Sequence, residues 1–178
     1  MFESGAILMY LAEKTGKFMP KDMAKKYDVI QWLMVQMSGI GPAFGNFTHF
    51  NLFAPKPGNE YAFGRYKSEM LRLYELLDKR LGQTKYLGGD EYSIADMAVH
   101  PWYGALVSGL VYNAAEFLDA ASYTHVVRWT QEISERPAVK RGRMVNRSFG
   151  KPESQLRERH DASDFETRTQ DLLDAATK

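Results

Sequence analysis

Tyr92-Ser93-Ile94-Ala95-Asp96-Met97-Ala98 is the stretch whose reading decides the fold. Ser93 is a good N-cap, and the acid three residues on makes a variant of the capping box, in which the carboxylate reaches back to the backbone of the cap. Tyr92 and Met97 flank the box where a hydrophobic staple belongs. A helix therefore opens here, with Ala98, Val99, Trp102 and Tyr103 on it and Pro101 expected to kink it. Residues 104–112 extend it or begin another, and 113–119 read as a short helix. A further helix runs from Ser122 or Tyr123 to residue 135 and carries Val126, Trp129 and Ile133. Arg136-Pro137 ends that element, and residues 138–145 form one more.

Upstream the same periodicity recurs. Residues 60–81 are the best helix, with Tyr66, Met70, Leu73, Leu77 and Leu81 on one stripe and mostly charged residues opposite. Residues 54–59 (Ala-Pro-Lys-Pro-Gly-Asn) are a loop. Over 22–37, Tyr27, Ile30, Met34 and Met37 repeat at helical spacing while Val29, Trp32, Leu33 and Val35 fill other faces. That helix is expected to be central, capped by Asp22. Ser38-Gly39-Ile40-Gly41-Pro42 is expected to interrupt it, and the aromatic run Phe44, Phe47, His49, Phe50, Phe53 to resume helix. Residues 4–15 form an opening helix with Ser4 as N-cap and Thr15-Gly16 as C-cap. Residues 151–178 are charge-rich and are expected to lie extended over the surface or partly disordered. No alternating strand pattern with hairpin turns occurs, so the domain reads as all-α.

Composition bounds the function. A chain of 178 residues with 44% hydrophobic and 25% charged residues is globular over most of its length. Its net charge of +1 supplies no bulk field for nucleic acid or an anionic membrane surface. There is no cysteine, which excludes disulfides, cysteine zinc sites and a thiol nucleophile within this chain and fits a reducing compartment. Neither a leader nor a bilayer-length apolar run is present, so a soluble cytoplasmic protein is expected. His49, His100, His125 and His160 fall in no metal-ligand spacing, so no metal is expected. Phosphate-binding glycine motifs and a nucleophile elbow are missing too.

Three features carry candidate chemistry. Glu3-Ser4 opens the first helix, whose free N–H groups and dipole hold a carboxylate while Glu3 receives an ammonium group; the plainer reading is a capped helix with a leading acid. Phe44, Phe47, His49 and Phe50 read as core or as the wall of a pocket for an apolar substrate group. Arg65, near the start of a long helix, reads as a solvated arginine or as the contact of an anionic partner.

Several ordered stretches resemble glutathione transferases. Glu3-Ser4-Gly5-Ala6-Ile7-Leu8-x-Tyr10-Leu11-Ala12 is similar to their strand-to-helix junction, and Tyr92 to Ala98 resembles the capping box that nucleates their C-terminal domain. Gln31-Trp32-Leu33, Gly41-Pro42, His49-Phe50 and Gly64-Arg65-Tyr66 resemble the bacterial Nu-class branch, which reduces disulfides with glutathione. Glu158 to Glu166 resembles a long-tailed subgroup of that branch.

The resemblance implies a helical bundle of the transferase C-terminal type over 19–150. It is preceded over 1–18 by the last strand edge and helix of a truncated thioredoxin-like domain and followed by a charged tail over 151–178. Glutathione would be the co-substrate: Glu3 meeting its ammonium group, Ser4 and its helix holding the α-carboxylate, and Arg65 a carboxylate, including from across a dimer interface. The second substrate would be a small disulfide or electrophile, and the intact form a homodimer. The thioredoxin-like half that places the thiol in the family has no counterpart here. A fragment, an alternative-start product or an incomplete gene model is therefore expected, with no catalytic residue and little activity alone. The alternative is a non-enzymatic helical adaptor or dimerisation module.

Overall fold

The computed structural model describes residues 1–107 and 118–143. Its elements are helices α1 (Ser4–Thr15), α2 (Met23–Val35), α3 (Gly41–Thr48), α4 (Glu60–Leu81), α5 (Ile94–Val107), α6 (Thr124–Ser134) and α7 (Pro137–Gly142). A short 3-10 turn spans Ala120–Ser122. Among the described residues there is no strand, only an isolated antiparallel bridge between Tyr86 and Gly89. The expected tail over 151–178, and most of the expected helix over 113–119, lie outside the described residues. The chain falls into two compact units, Met1–Gln131 and Glu132–Lys178.

In the first unit the long α4 buries Met70, Leu73, Leu77 and Leu81 of the stripe its periodicity predicts, with Tyr66 half-buried, and it buries Tyr74 as well. Central α5, buried along much of its length, packs on α1 and α2, while α3 packs on α4. The capping box forms: Ser93 N–H donates to Asp96 Oδ2 at 3.0 Å, and the Ser93 hydroxyl donates to the same oxygen at 3.0 Å. Tyr92 meets the rings of Phe18 and Tyr86 edge-on.

Three expectations need correction. The first concerns the break at 38–42. Helix continues from Met23 to Phe53 through two π-helical turns, Gln36–Ile40 and His49–Phe53, one on either side of α3. Gly41, directly before Pro42, keeps helical angles (φ −56°, ψ −54°) because it has no Cβ for the proline ring to strike, and its N–H donates to Gln36 O in the wider π pattern. Second, Tyr27 and Met34 lie exposed, because the face of α2 that reaches the core carries Val29, Trp32 and Leu33. Third, Ser4 is the first helical residue rather than the cap. Glu3 takes the cap position, its carbonyl accepting from Ile7 N–H at 3.0 Å.

Two other caps hold as read. Asp22 accepts from Lys25 N–H at 3.0 Å, and Gly16 closes α1 in the left-handed region (φ 67°) with its N–H on Ala12 O. The start of α6 is capped from another helix: Asp78 Oδ1, on α4, accepts from His125 and Val126 N–H at 2.9 and 3.1 Å. Arg128 returns the interaction, its guanidinium donating to the carbonyls of Leu81, the last residue of α4, and of Thr84 and Lys85 just after it. Charge of the favoured sign thus sits at both helix ends.

In the second unit, Arg136 is extended before Pro137 (ψ 129°), which separates α6 from α7 as its position predicts. Lys140 pairs with Glu135 at 2.5 Å.

Candidate functional site

The N-terminus of α1 has a strained backbone, Glu3 being one of the non-glycine residues with positive φ among those described. Glu3 adopts φ 68° and ψ 113°, a combination that side-chain-bearing residues rarely take, and it makes no side-chain cap hydrogen bond. Its carboxylate is exposed, and the first N–H groups of α1 lack intrahelical acceptors. A negative group placed there meets free donors and the positive end of the helix dipole, with an acid one residue upstream for a positive group.

Ser4 and Gly5 sit against Met37, carried on the first π turn. The Ser4 hydroxyl donates to Met37 Sδ at 3.9 Å, and a Cβ at Gly5 would lie 3.0 Å from that sulfur. The far end of α1 is tied to α2 by the Lys26–Glu13 ion pair at 2.8 Å. Nothing in the sequence marks Met37, which reads as one more apolar stripe position 33 residues from Ser4.

Arg65 lies on the exposed side of α4. Its guanidinium is 3.5 Å from Glu69, whose carboxylate is already gripped by Arg72 through two hydrogen bonds of 3.1 and 2.6 Å. Those bonds, from Arg72 first, hold the Glu69 carboxyl below its ordinary range. Among the described residues, no hydrogen bond or ion pair joins Arg65 to Glu3 or Ser4.

The aromatic run divides. Phe44 and Phe47 are buried, Phe44 edge-on to Trp102 (5.3 Å) and Tyr103 (6.4 Å), Phe47 stacked on Phe63 (6.0 Å). His49 is exposed and meets Phe50 edge-on at 5.0 Å, and Phe50 stacks on Tyr66 at 5.5 Å. The His49–Phe50–Tyr66 layer therefore reaches the surface beside Arg65, whereas Phe44 and Phe47 hold α3 onto α4 and α5. Among the described residues no group of three His, Asp or Glu could hold a metal ion, and no helix is long and apolar enough to cross a membrane.

Replacing Glu3 by glycine removes the Cβ that makes this backbone costly. Glu3→Gly is expected to raise unfolding stability by about 1 kcal/mol in thermal melts; a drop in melting temperature would show that Glu3 is unstrained.

A helical domain agrees with the comparisons. The family described as "Glutathione S-transferase, C-terminal domain" matches residues 29–137, and the chain belongs to the glutathione S-transferase family. It is 56% identical over 172 residues to the disulfide-bond oxidoreductase YghU of Escherichia coli K12, covering 96% of this chain and 59% of that protein. To the disulfide-bond oxidoreductase YfcG of the same strain it is 44% identical over 139 residues, covering 78% and 61%. Among solved structures, glutathione transferase YghU from Streptococcus pneumoniae, complexed with glutathione, matches with a TM-score of 0.76 and 46% identity over 80% of this chain and 54% of that one. A glutathione transferase from Pseudomonas putida with one glutathione disulfide bound per subunit matches with a TM-score of 0.74 and 42% identity, covering 80% and 61%. The chain spans about three fifths of the length of these curated relatives.

Proposed function

We propose that this chain is the helical part of a glutathione-dependent disulfide reductase and carries the γ-glutamyl end of its glutathione site. The observation that carries the reading is the strained Glu3 at the open N-terminus of α1, in a chain 56% identical to a disulfide-bond oxidoreductase. Glu3 receives the ammonium group of glutathione, and Ser4 with the free N–H groups of α1 receives the α-carboxylate. Arg65 takes a carboxylate of glutathione, from across a homodimer interface; its exposed guanidinium, shared only with Glu69 among the described residues, suits that contact. His49 and Phe50 border the second substrate, a small disulfide, with Phe44 and Phe47 supporting them from the core.

The reaction is thiol–disulfide exchange. A glutathione thiolate attacks one sulfur of the disulfide; the new S–S bond forms as the old one breaks, and the other half leaves as a thiolate. A second glutathione thiolate then attacks the glutathione sulfur of the mixed disulfide, yielding glutathione disulfide and the second thiolate. Both thiols come from the ligand, in keeping with a chain without cysteine, and a reducing cytoplasmic setting suits the exchange. The protein's share is to orient glutathione and exclude water. Lowering the pKa of the glutathione sulfur is the further contribution that accelerates exchange, and it is assigned to no residue of this chain.

Calorimetric titration with glutathione is expected to give a dissociation constant of about 1 mM, the scale of a partial site. Ser4→Ala is expected to weaken it several-fold. The same chain is expected to reduce a small disulfide no faster than free glutathione does. Absence of binding at tens of millimolar would favour a non-enzymatic adaptor and overturn the reading. Turnover like that of a longer relative would overturn the expected inactivity.

A further inference from the structure

We infer that Met37 is a positioning residue for the γ-glutamyl subsite; this rests on the reading of Glu3 and Ser4 given above. The first turn of α1 must keep its N–H groups and the Glu3 carboxylate in one relative orientation. Among the described residues, the one side-chain hydrogen bond made by that turn is the Ser4 hydroxyl on Met37 Sδ at 3.9 Å. Sulfur is a weak acceptor, so the contact itself does most of the holding. Gly5 is buried and leaves room for the thioether: a Cβ there would stand 3.0, 3.1 and 3.3 Å from Met37 Sδ, Cγ and Cε. The glycine thus lets helix α1 settle directly on the methionine.

Met37 is itself firmly placed. It belongs to the π turn Gln36–Ile40, whose two ends are anchored in the core, Gln36 at 5% and Ile40 at 0% exposure. A π turn inserts one extra residue into a helix and re-aims the side chains on it, and such turns recur at functional sites. Here the side chain aimed at the start of α1 is Met37. The Ser4 hydroxyl rests on its sulfur in the free protein and rotates to the ligand carboxylate on binding, while the methionine continues to back Ser4 and Gly5.

The test is titration of the full chain with three probes: glutathione, γ-glutamylcysteine and cysteinylglycine. Met37→Ala, which removes the backing, is expected to weaken glutathione and γ-glutamylcysteine at least fivefold and to leave cysteinylglycine within twofold. Met37→Leu keeps the bulk and is expected to stay within twofold of the parent for all three; it also serves if the alanine variant does not fold. Equal losses for all three probes, or no loss in Met37→Ala while Ser4→Ala still weakens glutathione, would overturn the role of Met37 alone. A fivefold or greater loss of glutathione binding in Met37→Leu would overturn it too. A parent chain that binds neither γ-glutamyl probe would overturn the subsite reading, and this inference with it.

Discussion

Asp96→Ala is expected to lower the unfolding free energy by about 4 kcal/mol, a large part of the roughly 5–15 kcal/mol that holds a domain of this size. Asp96 is fully buried, and its two oxygens accept four hydrogen bonds: from Leu87 N–H (2.9 Å), Ser93 N–H (3.0 Å), the Ser93 hydroxyl (3.0 Å) and the Trp129 indole N–H (2.8 Å). Burial pushes its carboxyl pKa up, while these donors act the other way. The donors come from the connection after α4, the start of α5 and the middle of α6, so one carboxylate ties three segments. Alanine strands three N–H groups without an acceptor, at about 1–3 kcal/mol for each one left buried. Asp96→Asn keeps one oxygen but turns an amide NH2 toward other donors, and is expected to cost about half as much. Urea unfolding at constant slope checks both. A loss below about 1 kcal/mol for alanine would mean that water replaces the carboxylate.

Gly88→Ala is expected to cost about 2–3 kcal/mol, through crowding rather than through a lost bond. A Cβ at residue 88 would lie 2.4 Å from Val29 Cγ2 and 3.1 Å from Ser93 Oγ, well inside the ~3.5–4.0 Å of favourable carbon contact. Val29 is 1% exposed on α2, and a β-branched side chain in a helix has little freedom to swing away. The connection and α2 must therefore separate. Val29→Ala makes room, so the double variant is expected to be more stable than the sum of the single losses by about 1–2 kcal/mol in a thermal-unfolding cycle. Simple additivity would show that the strain relaxes elsewhere.

Local signals that meet their partners within a turn were legible in advance. Asp22, Gly16 and the Ser93–Asp96 box are caps whose donors lie within four residues, and the stripe from Met70 to Leu81 follows helical period alone. The candidate site rests on the same kind of signal: an acid and a serine where an apolar helix opens describe a helix start with free N–H groups by themselves. Arg65 could be named, but its pairing with Glu69 beside Arg72 could not be told from a solvated side chain by spacing alone.

Other features depend on what meets in space. That Asp96 also receives Leu87 and Trp129, that Asp78 caps α6 while Arg128 reaches the carbonyls after α4, and that Met37 backs Ser4 all join residues far apart in sequence. The Asp28–Arg80 pair at 2.5 Å, with Arg80 over the Trp32 ring, is a further case. Sequence alone thus determined the all-helical character, most of the local caps and the opening Glu3-Ser4 motif, because periodicity and capping act over three or four residues. Tertiary structure decided the rest: that helix passes through Gly41-Pro42 on a π turn, that Tyr27 and Met34 face outward, that Glu3 rather than Ser4 bears the strained cap, and that Met37 supports it. Those outcomes depend on which helix face the neighbouring elements leave room to bury, and that is set by packing between helices rather than by spacing along one of them.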